Sequence, residues 1–126
     1  MCTTIFLRDV VCEATYVFLV GIIPLQRNFH KFAGQEYEDK RPRDRYVAES
    51  ARLLGVLDSH LKGRAWMLGD DYSIADIAIF PWVRNLIGFY EARDLVQFGR
   101  FAEVQRVLDA FVARPAVQRG LQVPAA

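Results

Sequence analysis

Cysteine is scarce in this 126-residue chain: there are two, Cys2 and Cys12, both near the start. Two cysteines cannot build a disulfide framework, and no cluster of further ligands surrounds them, so no metal site is expected. Histidine is equally rare, with only His30 and His60, neither near a second ligand type at metal spacing. Reduced thiols in a cytoplasm are the expectation. There is also little excess charge. Sixteen basic residues face fifteen acidic ones, for a net charge of +1. A nucleic-acid partner would need a concentrated basic field, so none is expected. The eight glycines are dispersed, which leaves no glycine-rich loop to cradle a phosphate. Long apolar runs are missing too. Thr15 to Leu25 is apolar but falls well short of the roughly 20 residues that cross a bilayer. Arg8, Asp9 and Glu13 stand before it, Pro24 interrupts it, and no cleavage pattern follows. Neither a membrane span nor a signal peptide is expected.

What is present is a composition of 52% hydrophobic and 25% charged residues, that of one folded domain able to bury a core. No repeat or low-complexity tract divides it. Strand signals are weak, and apolar positions recur at helical spacing. The pattern predicts a first helix from about Val10 to Val20, ending around Gly21 and Pro24, followed by a polar stretch from Gln26 to Lys40. Pro42 suits the first turn of a second helix. Val47, Ala51, Leu54, Leu57 and Leu61 form its apolar stripe, and Lys62 and Gly63 are suitable C-terminal residues. Gly69-Asp70-Asp71 reads as a turn. Ser73-Ile74-Ala75-Asp76 then has the spacing of a capping box. Ile74, Ile77, Ala78, Pro81 and Trp82 follow it in a helix that we expect at the centre of the core, kinked at Pro81. Phe101, Val104, Leu108, Phe111 and Val112 mark a further amphipathic helix. Arg114-Pro115 ends it, and Pro115 opens a last short helix reaching Gly120. Helices with short connections and no strands make an all-α bundle.

Ser73 and Asp76 have no histidine nearby in sequence, so we read them as a structural N-cap box and not as a catalytic pair. Replacing either by alanine is expected to cost roughly 0.5–2 kcal/mol. The basic residues Lys40, Arg41, Arg43 and Arg45 are interleaved with Glu36, Glu38, Asp39 and Asp44, the pattern of a solvated helix entrance.

The stretch from Trp66 through Met67-Leu68-Gly69-Asp70-Asp71-Tyr72-Ser73-Ile74-Ala75-Asp76 to Pro81-Trp82-Val83 resembles the signature of the glutathione S-transferase C-terminal domain. The closing Arg114-Pro115-Ala116-Val117, after a helix that starts at an aromatic residue, resembles the end of the same domain. On this resemblance residues 13–126 form the helical domain, and residues 1–12 are an unmatched N-terminal segment. The wording Ile-Ala-Asp-Ile-Ala before Pro-Trp-Val is similar to the bacterial Nu-class and disulfide-bond oxidoreductase branch. In that branch an arginine early in the helix after the polar loop reaches glutathione, and Asp44-Arg45-Tyr46-x-x-Glu49 matches that helix start. The resemblance therefore assigns Arg45 to glutathione, whose carboxylates suit the planar guanidinium fork. The plain alternative is a solvated charge among Arg41, Arg43 and Arg52. It further implies that Tyr16, Phe18 and Phe29 form one wall of a hydrophobic pocket.

The sequence also departs from the family. The resemblance implies a thioredoxin-like domain that activates the glutathione thiol, and the expectation is that it is absent here; Ala102 stands where the family often has proline. The expectation is a protein related to glutathione conjugation or glutathione-dependent disulfide reduction, inactive alone, with no catalytic residue of its own. No tightly bound cofactor is expected, and glutathione is the candidate co-substrate. Homodimer formation or a separate thioredoxin-like domain are the candidate partnerships. Two alternatives stay open: a protein-interaction or dimerisation module, and a truncated gene fragment of a full transferase.

Overall fold

The computed structural model describes residues 41–123, and of Arg41, Pro42, Arg43 and Tyr46 the backbone only. The first expected helix, the polar stretch after it, and with them Tyr16, Phe18 and Phe29, lie outside the described residues. Within them the chain is helical, with α1 over Arg41–Leu61, α2 over Ile74–Ile87, α3 over Ala102–Val112 and α4 over Pro115–Gly120. A 3-10 turn, Phe98–Arg100, precedes α3. The described residues contain no strand, only a single bridge between Trp66 and Gly69.

α1 buries Leu54, Leu57 and Leu61 from its apolar stripe, with Ser50 continuing the buried face toward the N-terminus. Gly63 ends the helix at φ +69°, a left-handed conformation that costs glycine nothing. The chain then doubles back in a tight turn. Trp66 N–H donates to the Gly69 carbonyl at 2.7 Å and Gly69 N–H to the Trp66 carbonyl at 3.1 Å. Gly69, at φ +121°, takes a conformation that a side chain would strain. A ring nitrogen of His60, Nε2, donates to the Met67 carbonyl at 2.8 Å and ties this turn to α1.

α2 begins at Ser73, whose extended backbone and side chain form both halves of a capping box with Asp76. The helix runs unbroken through Pro81, although proline withdraws one backbone donor from its ladder. Its buried face is Ala75, Asp76, Ile79, Phe80, Val83 and Leu86. This differs from the expected register: Ile74 is 80% exposed and Ile77 53% exposed. Isoleucine, alanine and phenylalanine surround nearly the whole of α2, so hydrophobicity alone does not choose a face. The inward carboxylate of Asp76 goes with the face one residue round from the expected one.

α3 lies against α1, and the two helices cap each other. Phe101 stands at the N-terminus of α3 and makes no side-chain cap. Asp58 of α1 supplies the missing acceptor, taking the Glu103 N–H at 2.9 Å and the Val104 N–H at 3.2 Å. In return Arg106 of α3 donates to the Leu61 carbonyl at 3.2 Å and the Arg64 carbonyl at 2.6 Å, at the C-terminal end of α1. Unpaired groups at two helix termini thereby find partners far away in sequence. At the closing motif, Arg114 takes the extended conformation that precedes proline, and Pro115 occupies the first turn of α4. The Arg114 guanidinium lies 3.5 Å from the centre of the Tyr72 ring and 5.6 Å from that of Trp66, a cation–π stack that fastens the end of the bundle to the turn before α2.

Candidate functional site

Two groups of residues concentrate polar chemistry. The first surrounds Asp76, which is fully buried. Its Oδ1 accepts the Met67 N–H at 2.9 Å, and its Oδ2 accepts both the N–H and the hydroxyl of Ser73 at 2.9 Å. The Ser73 hydroxyl in turn accepts the Ala75 N–H at 3.3 Å. Every described contact of this pair holds the helix start and the Trp66–Gly69 turn together. The Asp76 carboxylate is sealed from solvent, and the half-buried Ser73 hydroxyl is directed onto it.

The second group lies on the outer face of α1. Arg45, Ala48, Glu49 and Arg52 line a cavity of about 600 Å³. Their spacing of three, four and seven residues places them on one helix face by α-helical geometry. Glu49 accepts two hydrogen bonds from Arg52, 2.8 Å from Nε and 2.7 Å from Nη2. That hydrogen-bonded pairing, reinforced by the charges of Arg52 and Arg45, holds the Glu49 carboxyl below its ordinary pKa. Arg45 is exposed, and its guanidinium makes no hydrogen bond or ion pair among the described residues. A guanidinium in that state keeps its planar donor fork available to a carboxylate.

Arg45 thus stands beside two residues that the motif left without a role. Glu49 ended the quoted pattern and Arg52 figured only among neighbouring charges. Their i, i+4 and i, i+7 relation to Arg45 is the signal that groups them. Among the described residues, no group of three or more His, Cys, Asp or Glu side chains could hold a metal ion. Among those same residues, no helix is long and apolar enough to cross a membrane.

The family model described as "Glutathione S-transferase, C-terminal domain" matches residues 7–115. The chain belongs to this family. A glutathione S-transferase C-terminal domain accounts for the all-α bundle, for the capped α2 and for the closing Arg114-Pro115. Among curated relatives, the disulfide-bond oxidoreductase YghU of Escherichia coli strain K12 is 42% identical over 61% of this chain and 27% of its own length. The disulfide-bond oxidoreductase YfcG of the same strain is 33% identical over 62% of this chain and 34% of its own length. Among solved structures, a glutathione transferase from Burkholderia graminis with two glutathione molecules bound per subunit is 64% identical. The match has a TM-score of 0.79 and covers 94% of this chain and 50% of that one. A glutathione transferase from Pseudomonas putida with one glutathione disulfide bound per subunit is 62% identical, with a TM-score of 0.78, over 94% of this chain and 52% of that one. The chain therefore spans about half the length of these solved relatives and about a third or less of the curated ones.

Proposed function

We propose that this chain is the helical domain of a glutathione-dependent protein of the conjugating or disulfide-reducing kind, and that Arg45 binds a carboxylate of glutathione. The observation that carries this reading is the exposed Arg45 guanidinium, without a hydrogen bond or ion pair among the described residues, lining the α1 cavity. Support comes from solved relatives that hold glutathione or its disulfide. In this reading the helical domain contributes an anion contact and one wall of a hydrophobic pocket, for which Tyr16, Phe18 and Phe29 are the proposed residues. A thioredoxin-like domain supplies thiolate activation, so the 126-residue chain alone has negligible transferase turnover.

A titration of the isotope-labelled chain with glutathione, followed by amide chemical shifts, tests the assignment. Saturable shifts centred on the Arg45 turn of α1 are expected, and Arg45→Ala should abolish them. Absence of such shifts removes Arg45 from the site. A conjugation assay with an aromatic chloride tests the second part, and turnover clearly above the uncatalysed rate would sink it.

A second reading, a protein-interaction or dimerisation module, is favoured by the exposure of Ile74 and Ile77 on α2. An apolar stripe in water promotes association. Sedimentation that reports a clean monomer, with no binding of a dye for exposed apolar surface, would argue against it.

A further inference from the structure

We propose that the exposed stripe of α2 is a contact between two copies of this chain, packed antiparallel about a two-fold axis so that Arg84 of each copy meets Asp71 of the other. The proposal rests on the reading of the chain as an association module and specifies its partner and its register.

α2 presents one outward line of residues. Ile74, Ile77, Pro81 and Arg84 follow one another at intervals of three, four and three residues, which keeps them on a single helix face. Ile74, Ile77 and Arg84 are exposed and Pro81 is half-buried, so the line is apolar along most of its length and basic at its C-terminal end. The opposite end is acidic. Asp70 and Asp71, both exposed, stand in the turn just before the helix. Among the described residues, the side chains of Asp70, Asp71 and Arg84 make no hydrogen bond or ion pair. Unpaired charges of opposite sign thus bracket two isoleucines whose exposure to water is unfavourable.

This order of charges picks out the partner. A surface that is acidic, then apolar, then basic is complementary to itself when turned end for end, which is what a two-fold contact requires. Parallel packing of two such helices would bring Asp71 to the partner's Asp71 and Arg84 to the partner's Arg84, and like charges repel. In the antiparallel arrangement the register follows from the spacing. Arg84 lies seven residues after Ile77, about 10 Å along the helix axis, and Asp71 lies six residues before it. Setting Arg84 beside the partner's Asp71 therefore sets Ile74 beside the partner's Pro81. The two Ile77 side chains then come together at the axis. Charged pairs and apolar pairs close in one register.

Sedimentation equilibrium of the full chain over a wide range of concentration tests the contact. A pair of short helices makes an interface at the small end, below about 1,200 Å². A monomer–dimer equilibrium with a Kd of about 0.1–1 mM is therefore expected, weaker at high salt. Ile77→Ser should abolish it. Arg84→Glu alone and Asp71→Arg alone should each weaken self-association about three- to tenfold, the effect of two exposed charge pairs. An equimolar mixture of those two variants should associate as tightly as the parent, because the mixed dimer again pairs opposite charges at both ends. If Ile77→Ser abolishes association but the charge changes have no effect, or the mixture does not recover, the proposed partner and register are overturned while association through α2 stands. Association that survives Ile77→Ser overturns the proposal and moves the contact to another surface. A clean monomer throughout removes both this inference and the association reading. Circular dichroism of each variant confirms that the helical content is retained.

Discussion

Asp76 and Glu49 are both carboxylates on helices of the same bundle, and they do opposite work. Asp76 is fully buried and accepts three hydrogen bonds, two from backbone N–H groups and one from a hydroxyl. Glu49 sits at the surface and has a guanidinium as its described partner. A buried carboxylate is kept only where its acceptor capacity is filled, because unpaired charge in an apolar setting is expensive. At the surface, water substitutes readily for any lost partner, so the pair contributes little to stability. The difference separates residues that make the fold from residues free to meet a ligand.

The comparison can be broken most forcefully at Asp76. Asp76→Ala removes three hydrogen bonds and strands the Met67 N–H in the interior. A loss of about 3–4 kcal/mol is expected, above the range for a helix cap alone, and denaturant unfolding would read it. A loss of only about 1 kcal/mol would show that the link to Met67 adds nothing. Ser73→Ala should cost about 1 kcal/mol, since Asp76 keeps its contacts to the Ser73 and Met67 backbone. Thermal unfolding of the two variants side by side checks that order.

The smallest effect belongs to Glu49. Glu49→Gln should change stability by only a few tenths of a kcal/mol, the range for an i, i+3 surface pair. Its pH dependence has a definite sign. The folded-state pKa is depressed, chiefly by the Arg52 hydrogen bonds. The small stabilisation is therefore fully present above the ordinary glutamate pKa, about 4.3, and is lost as pH falls through the lower folded value. Acid titration of parent and Glu49→Gln chains should converge at the bottom of that window. A gap that widens with acid would contradict the pairing.

Much of this architecture is legible from spacing. Pro42 and Gly63 bracket α1 because each supplies a backbone conformation that a helix end requires. The serine-to-aspartate interval before α2 is a local signal of the same kind, and Arg114-Pro115 is another. Local chemistry of this sort does not depend on distant residues. What spacing could not provide is the face that α2 buries. Ile74 and Ile77 are as hydrophobic as Ile79 and Val83, and the distinction arises only when α2 meets its neighbours. Asp58 and Arg106 were illegible for a similar reason, since each acts on a helix terminus more than forty residues away. At the candidate site, Arg45 stood out through a resemblance in the wording around it. Glu49 and Arg52 gained meaning from the helix face they share with it.

The mutual capping of α1 and α3 has a consequence for how this domain opens. Fraying the last turn of α1 withdraws the carbonyl that Arg106 holds, and fraying the first turn of α3 withdraws the N–H groups that Asp58 holds. Neither end can loosen without stranding groups on the other. Backbone amides at these two sites should therefore exchange with solvent through shared opening events, although each is a helix end of the kind that ordinarily exchanges first.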